Sequence, residues 1–271
     1  MIMLIVVKTG GRVIENGVPQ NLVKDIGQNI SAHQLIFVHG GGVEVTEIAK
    51  RMGKTQRFVV SPKGFRSRYT DKDTADIYTM VMVGKLNSDI VVTLESQGIS
   101  SIGLSGLDGR LLQAERKKRL IILDDRGRRR VIDGGYTGQI TGVNTMLLHL
   151  LLNEHYIPVI APVALSEEFE PLNVDGDRSA AHIAGALKAD RLVLLTDVDG
   201  LLVDGTLVSE LTTFEAKALL PKIGPGMITK VYAALEAIEK GVEEVIISSG
   251  FHNKPISSAV NHEQGTVIRN V

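Results

Sequence analysis

The stretch that most restricts what this chain can fold into is residues 3–11, MLIVVKTGG, an unbroken apolar run closing on a lysine and two glycines. Its first five residues show no polar alternation, so both faces of the segment must be covered, as in a strand inside a parallel sheet. Lys8 then falls at the carboxyl end of the strand, the end at which open α/β sheets bind ligands. Gly10 and Gly11 allow backbone N–H groups to approach an anion closely. The plainer alternative is a lysine that only solvates the end of a strand.

The same pattern recurs along the chain. Residues 34–38 form a second short apolar strand that ends in His39, Gly40, Gly41 and Gly42, just before a helix over residues 43–52. Pro19 opens an amphipathic helix carrying Leu22, Val23, Ile26 and Ile30. Thr70 is placed to cap a long helix over residues 71–95, with Gly84 inside it. Strands at 100–104, 157–161, 191–196 and 245–248 alternate with helices at 144–153, 177–188, 213–220 and 227–239, and residues 265–270 read as an edge strand. The rhythm breaks between 105 and 142. There, apolar segments at 120–123 and 130–132 flank the turn signal Asp124-Asp125-Arg126-Gly127 and predict a β-hairpin. The layout is α/β with a polar, hairpin-bearing insertion about midway.

Composition sharpens this. Apolar residues make up 44% of the 271 positions but aromatic ones only 4%, so the core is aliphatic, as suits parallel strands packed by helices. There are no cysteines, which removes disulfides, thiolate metal sites and thiol nucleophiles. No uninterrupted apolar run approaches the roughly 18 residues of a membrane span, and no basic region precedes the first apolar run, so a cytoplasmic protein without membrane contact is expected. The net charge of −1 hides an asymmetry. Residues 110–130 carry Arg110, Arg116, Lys117, Lys118, Arg119, Arg126, Arg128, Arg129 and Arg130 against Glu115, Asp124 and Asp125, a net +6 that leaves −7 for the remainder. A patch this concentrated asks for an acidic partner.

Several familiar chemistries are missing. No GxxxxGK[ST] loop is present, and Gly103, Gly106 and Gly109 have the wrong spacing for a dinucleotide fingerprint. Ser105 sits in GLSGL, which lacks the nucleophile elbow GxSxG. The seven histidines, His149 and His182 among them, show no metal spacing. What remains is a set of anion-binding features at strand ends: Lys8-Thr9-Gly10-Gly11, Gly40-Gly41-Gly42, Asn173-Val174-Asp175-Gly176-Asp177, Thr196-Asp197-Val198-Asp199-Gly200, and Gly224-Pro225-Gly226-Met227-Ile228-Thr229-Lys230. Asp177 alone reads equally well as a helix N-cap, and a triple glycine alone as a loose turn.

Taken in order, KxGG, HGGG, RYTD, NVDGD, TDVDG and GPGMITK resemble the motifs of the amino acid kinase family, in its acetylglutamate kinase branch, over essentially the whole chain. The resemblance implies an open αβα sandwich with a central, mainly parallel sheet and a protruding β-hairpin. It implies an acceptor-binding N-terminal lobe over residues 1–174, including a basic hairpin at about 110–133, and an ATP-binding lobe over 175–271. It further implies that Lys8 and Lys230 flank the transferring phosphoryl group with Asp177 ordering both. Gly10 and Gly11 would hold phosphate, and Gly41, Gly42, Arg68 and Asn173 the acceptor. Asp197, Val198, Asp199, Gly200, Leu201, Leu202, Lys222, Ile223 and Gly224 would hold the nucleotide. ATP would enter with Mg²⁺ bound through its phosphates rather than by protein side chains. Such chemistry needs no general base, because a carboxylate of pKa about 4.3 is already ionised, and positioning and charge neutralisation carry the step.

Two features resemble a particular branch of that family, one that phosphorylates α-aminoadipate or glutamate while its amino group is attached to a small acidic carrier protein. The loop Gly64-Phe65-Arg66-Ser67-Arg68-Tyr69-Thr70-Asp71 is bulky and basic, and Asp175 stands where acetylglutamate kinases typically have asparagine. The hairpin residues Arg116, Lys117, Lys118, Arg119, Arg128, Arg129 and Arg130 would form the platform for the carrier. The alternatives are charge that merely blunts a hairpin edge, an acetylglutamate kinase acting on the free small molecule, or a non-catalytic amino-acid sensor on the same fold. Nucleic acid fits poorly, since no stacking aromatics interleave the basic run. The sensor is disfavoured because Lys8, Lys230 and Asp177 are all present and no added regulatory domain is expected after Val271. Arginine-regulated hexamers of the family carry an extra N-terminal helix, and with the first strand at the start of the chain the resemblance implies a homodimer without that regulation.

Overall fold

A computed structural model describes residues 2–270; Met1 and Val271, the outer ends of the two lobes expected from sequence, lie outside them. The fold centres on an eleven-stranded sheet. From one edge its order is Glu210–Thr212, Thr266–Arg269, Glu244–Ser249, Arg191–Thr196, Leu4–Thr9, Gln34–His39 and Ile157–Leu165. Ile157–Leu165 then pairs in parallel with both Ser101–Gly106 and Leu112–Arg116, and antiparallel with Pro171–Asn173. Gly138–Val143 closes the far edge, antiparallel to Leu112–Arg116.

The unalternating apolar runs lie in the middle. Ile5, Val6 and Val7 are fully buried between parallel neighbours on both sides. Even residues face one layer of core with Ile36, Val38, Leu192 and Leu194, and odd residues face the other with Leu35, Phe37, Val193 and Leu195. This two-sided core obliges helices on both faces. The helices Gly176–Leu187 and Met227–Glu239 cover one, and Gln20–Asn29 and Pro255–Val260 the other. The sheet runs without a break across the 174/175 division. We therefore propose the two expected lobes as halves of one sheet rather than separate folding units.

Four expectations need correction. The long helix is capped by Asp71, whose side chain accepts from the Thr74 N–H; Thr70 is buried one residue earlier, where its carbonyl accepts from Tyr136 N–H. The helix is also not uniform, because Met80–Asn87 is π-helical between α-helical Lys72–Thr79 and Ser88–Glu95. In length and composition alone the run Lys72–Glu95 would suffice to cross a membrane, although Lys85 and Asp89 interrupt its apolar stretch. It is packed as a core helix, burying Ile77, Val81, Met82, Leu86, Ile90 and Leu94. The helix after NVDGD is capped by Asp175, which accepts from Arg178 N–H, so Asp177 lies inside the first turn and is free for other work. The last strand, Thr266–Arg269, is not an edge; it sits between Glu244–Ser249 and Glu210–Thr212, which takes the edge instead.

The hairpin forms as expected, pairing Arg119–Leu123 with Arg129–Asp133 around the Asp124 turn. At its base the backbones of Lys117 and Gly134 touch so closely that a Cβ on Gly134 would stand 1.4 Å from the Lys117 carbonyl oxygen. Gly134→Ala must pry this base open. The expected cost is about 1–3 kcal/mol of unfolding free energy, read from the denaturant midpoint. A midpoint equal to that of the parent protein would show that the base is not constrained.

Candidate active site

The carboxyl ends of Leu4–Thr9 and Gln34–His39 lie side by side, with Thr9 in register with His39. Their two glycine turns therefore meet back to back. A Cβ on Gly11 would lie 3.0 Å from the Gly41 nitrogen, and one on Gly40 would lie 2.8 Å from the Gly11 nitrogen. Gly10 and Gly40 commit their N–H groups to the carbonyls of Leu195 and Thr9, at 2.9 and 2.8 Å. The donors left for an anion are those of Gly11, Gly41 and Gly42, the last in the first turn of the helix Gly42–Arg51, where N–H groups lack intrahelical partners. Gly41 has no room for a side chain, since a Cβ would meet Leu86 Cδ1 at 2.1 Å and Met82 Sδ at 3.0 Å.

Three charged side chains converge beside this nest. Asp177 Oδ1 is 2.7 Å from Lys8 Nζ, and Asp177 Oδ2 is 3.0 Å from Lys230 Nζ. All three residues are buried. Burial opposes charge on Asp177, but the two ammonium groups outweigh it and hold the carboxyl at about 2. Burial likewise opposes charge on Lys230, and Asp177 more than reverses it, so its pKa is raised. The cluster keeps one net positive charge at the strand ends.

It opens on a cavity of about 550 Å³ whose wall includes Lys8, Gly40–Gly42, Arg68, Asn173, Asp175 and Asp177. Arg68 is buried and locked: Nη2 donates to Gly42 O at 2.7 Å and Thr46 Oγ1 at 3.0 Å, and Nη1 donates to Gln56 Oε1. Its guanidinium lies 5.0 Å from the Phe58 ring centre. Asn173 Nδ2 donates to Thr70 Oγ1 at 2.9 Å. Asp175 is exposed to the cavity, and desolvation by the protein around it together with the charge of Asp177 raises its pKa.

The other expected residues separate from this group. Asp197, Val198 and Asp199 are exposed on the loop after Arg191–Thr196, and Gly200 and Leu201 tuck beneath it. Asp197 pairs with Arg12 at 2.7 Å, which lowers its pKa. Leu202 is exposed, and Lys222, Ile223 and Gly224 lie on the surface segment before the helix of Lys230. None of these segments lines the acceptor cavity. The basic residues also divide. Arg116 is fixed to Glu170 at 2.9 Å and Gly135 O at 2.7 Å. Arg128 and Arg130 share Asp124, whose pKa is drawn down to about 2 by the Arg128 backbone and both guanidinium groups. Lys118, Arg119 and Arg129 are exposed, while Lys117 turns inward and lines the cavity. Among the described residues no cluster of three or more metal-ligating side chains occurs.

Sequence reading missed the support behind the nest. His39 Nδ1 contacts Gly40 O at 2.9 Å and Nε2 contacts Asn87 Nδ2 at 3.2 Å. Asn87 also donates to Val159 O at 2.9 Å. A carbonyl accepts only, so Nδ1 carries the ring proton and Nε2 accepts from Asn87; a second proton would set two donors face to face. Burial lowers the His39 pKa to about 4, with Lys8 adding to the shift. The π-helical turn brings Met82, Leu86 and Asn87 together under the glycines. The only sequence signal was Gly84 in a long apolar helix.

A parallel αβα sheet with glycine donors and a Lys–Asp–Lys cluster at its strand ends defines a phosphotransferase class of protein. The sequence profile of the amino acid kinase family matches residues 3–249, and the chain belongs to that family. It is 50% identical over 258 residues to a LysW-aminoadipate/LysW-glutamate kinase of Metallosphaera sedula, covering 95% of this chain and 97% of that one. It is 47% identical over 268 residues to the enzyme of the same name from Saccharolobus solfataricus, covering 98% and 100%. Among solved structures, smu.665 from Streptococcus mutans UA159 superposes with a TM-score of 0.80 at 25% identity, covering 99% of both chains.

The His39 environment gives a pH prediction. The folded pKa lies below the unfolded value of 6.5, so as pH falls the unfolded chain takes up this proton first and stability declines until about 4. Over that window the loss is roughly 3 kcal/mol. The decline, followed by denaturant titration between pH 7 and 4, is expected to flatten by about this amount in His39→Gln. Equal pH dependence in both proteins would place the proton elsewhere.

Proposed function

We propose that the chain phosphorylates the side-chain carboxylate of α-aminoadipate or glutamate carried on a small acidic amino-group carrier protein, giving an acyl phosphate. The observation that carries the chemistry is one buried carboxylate, Asp177, bridging Lys8 and Lys230 at the end of a cavity that also holds Arg68 and Asn173. ATP supplies the γ-phosphoryl group, with Mg²⁺ held through the phosphates; the free N–H groups of Gly11, Gly41 and Gly42 and the two lysines fit that anionic load.

In the reaction a carboxylate oxygen of the acceptor forms a bond to the γ-phosphorus as the bond to the ADP oxygen breaks. No proton moves. Lys8 faces the acceptor cavity and Lys230 lies across Asp177 from it, so the two neutralise charge on either side of the transferring group. Asp177 holds both at fixed separation without cancelling both charges. Arg68 lines the cavity with donor capacity beyond its bonds to Gly42, Thr46 and Gln56, and offers it to the acceptor's α-carboxylate, joined by Asn173. The loop Asp197–Leu202 and segment Lys222–Gly224 take the nucleotide, and the exposed apolar side chains of Val198 and Leu202 are available to its base.

The carrier is supported by the relatives' names, by Asp175, and by Lys118, Arg119 and Arg129 exposed on a hairpin whose Leu120 borders the cavity. A homodimer in the cytoplasm belongs to the same proposal. A hydroxamate assay comparing free N-acetylglutamate with carrier-linked aminoadipate and glutamate tests the acceptor. Turnover is expected on a carrier-linked acid, and turnover confined to the free acid overturns that part. Lys8→Ala is expected to lower kcat by about 10²–10³-fold while shifting KM for ATP only slightly. A kcat within a few-fold of the parent would make Lys8 structural.

A further inference from the structure

The loop after Arg191–Thr196 continues from Leu202 into a small hairpin, in which Leu202 pairs with Leu207 and Val203 with Thr206. Asp204 and Gly205 turn it with φ of +50° and +79°, as a tight two-residue loop requires. Among the described residues its strands pair with no other strand. Leu202 and Leu207 are directly opposite and share one face, and both are exposed. A two-stranded hairpin alone is marginal in water, so its placement depends on what holds its base.

The loop is tied at both ends. At the outer end Asp197 meets Arg12 at 2.7 Å, but the Arg12 side chain is 72% exposed, and water and salt weaken such a pair. At the inner end stands Thr266, fully buried at the start of the strand Thr266–Arg269. Its hydroxyl accepts from Leu201 N–H at 2.8 Å and donates to Val208 O at 2.6 Å. One oxygen therefore joins both ends of the hairpin, beside the backbone bond from Val208 N–H to Leu201 O at 3.0 Å. The approach is close: a Cβ on Gly200 would stand 2.7 Å from Thr266 Oγ1 and 2.8 Å from Leu207 Cδ1. Gly265, at φ +96°, brings Thr266 there by lying where a Cβ would come within 2.6 Å of Ile247 O.

We infer that Thr266 is a positioning residue for the nucleotide, fixing Leu201 and the base of the hairpin so that Leu202 and Leu207 present one preset apolar face. Its hydroxyl is taken up by these two bonds and Thr266 is not part of the acceptor cavity, so it acts through the loop. A hydroxyl suits the position because a single atom donates and accepts there. Without it the Leu201 N–H and the Val208 carbonyl lose their shared partner, and the base must open to water to recover one. The nucleotide then has to order the hairpin as it binds, which weakens binding without touching the groups that transfer the phosphoryl. This rests on the reading of Asp197–Leu202 as a nucleotide segment and is independent of which acceptor is used.

Thr266→Val keeps the shape of the buried side chain and deletes the hydroxyl. In the hydroxamate assay its KM for ATP is expected to rise about tenfold. Both kcat and KM for the acceptor are expected to stay within about twofold, as for binding lost equally from ground and transition states. Thr266→Ser, which restores the hydroxyl, is expected to recover most of the loss. A lower kcat with KM for ATP unchanged overturns the inference, because that is the mark of fewer folded molecules rather than of a misplaced loop. Leu202→Gln, a change in the exposed hairpin itself, separates the two levels of the argument. If it raises KM for ATP and Thr266→Val does not, the loop binds nucleotide and only the role of Thr266 is lost. If neither variant changes KM for ATP, the nucleotide reading of the loop fails and the inference with it.

Discussion

The site depends on a single carboxylate placed between two ammonium groups that would otherwise repel each other. Lys8 comes from the first strand, Asp177 from the first turn of one helix, and Lys230 from the first turn of another. Each is costly to bury alone, and the trio is tolerable because every charge has an opposite one within 3.0 Å. The remaining positive charge is therefore fixed before any ligand arrives, which is what transfer between two anions requires. Helix packing over the parallel strands sets this geometry, so the aliphatic core beneath contributes to the site by holding its three origins in register.

Behind the charges lies a second constraint, the crowding of two glycine turns. The close approach of Gly11, Gly40 and Gly41 leaves three N–H groups pointing away from the sheet, but such a nest is soft unless something presses on it from behind. Leu86, Met82 and the His39–Asn87 pair do so. The π-helical turn is how one helix supplies all of these at once. Its irregularity is local and sits against the site, as such turns often do.

The basic hairpin looks uniform as a string of letters and is not uniform in space. Arg116 is a structural clamp on Glu170, Arg128 and Arg130 are partly neutralised by Asp124, and Lys117 points into the cavity. The outward charge falls to Lys118, Arg119, Arg126 and Arg129. Strand alternation explains part of this division, since Arg128 and Arg130 share a face and Arg129 takes the other. The rest follows from the hairpin's base, which turns at Lys117 and Gly134.

The amino-acid order by itself determined the parallel core, the hairpin and the set of strand-end residues that bind charge. Those depend on short-range patterning: apolar runs without alternation, glycines after them, turn residues at Asp124–Gly127. It did not determine which carboxylate caps the helix and which one holds the two lysines. Asp175 and Asp177 are both acids at a helix start, and only the backbone course shows that Asp175 takes the cap while Asp177 faces two lysines from distant segments. Nor could it show that Thr266–Arg269 is interior, because strand order is a matter of long-range pairing. The inward turn of Lys117 and the support of His39 by Asn87 belong to the same class. Each is a contact between residues far apart in the chain, decided by packing against the sheet and invisible to local periodicity.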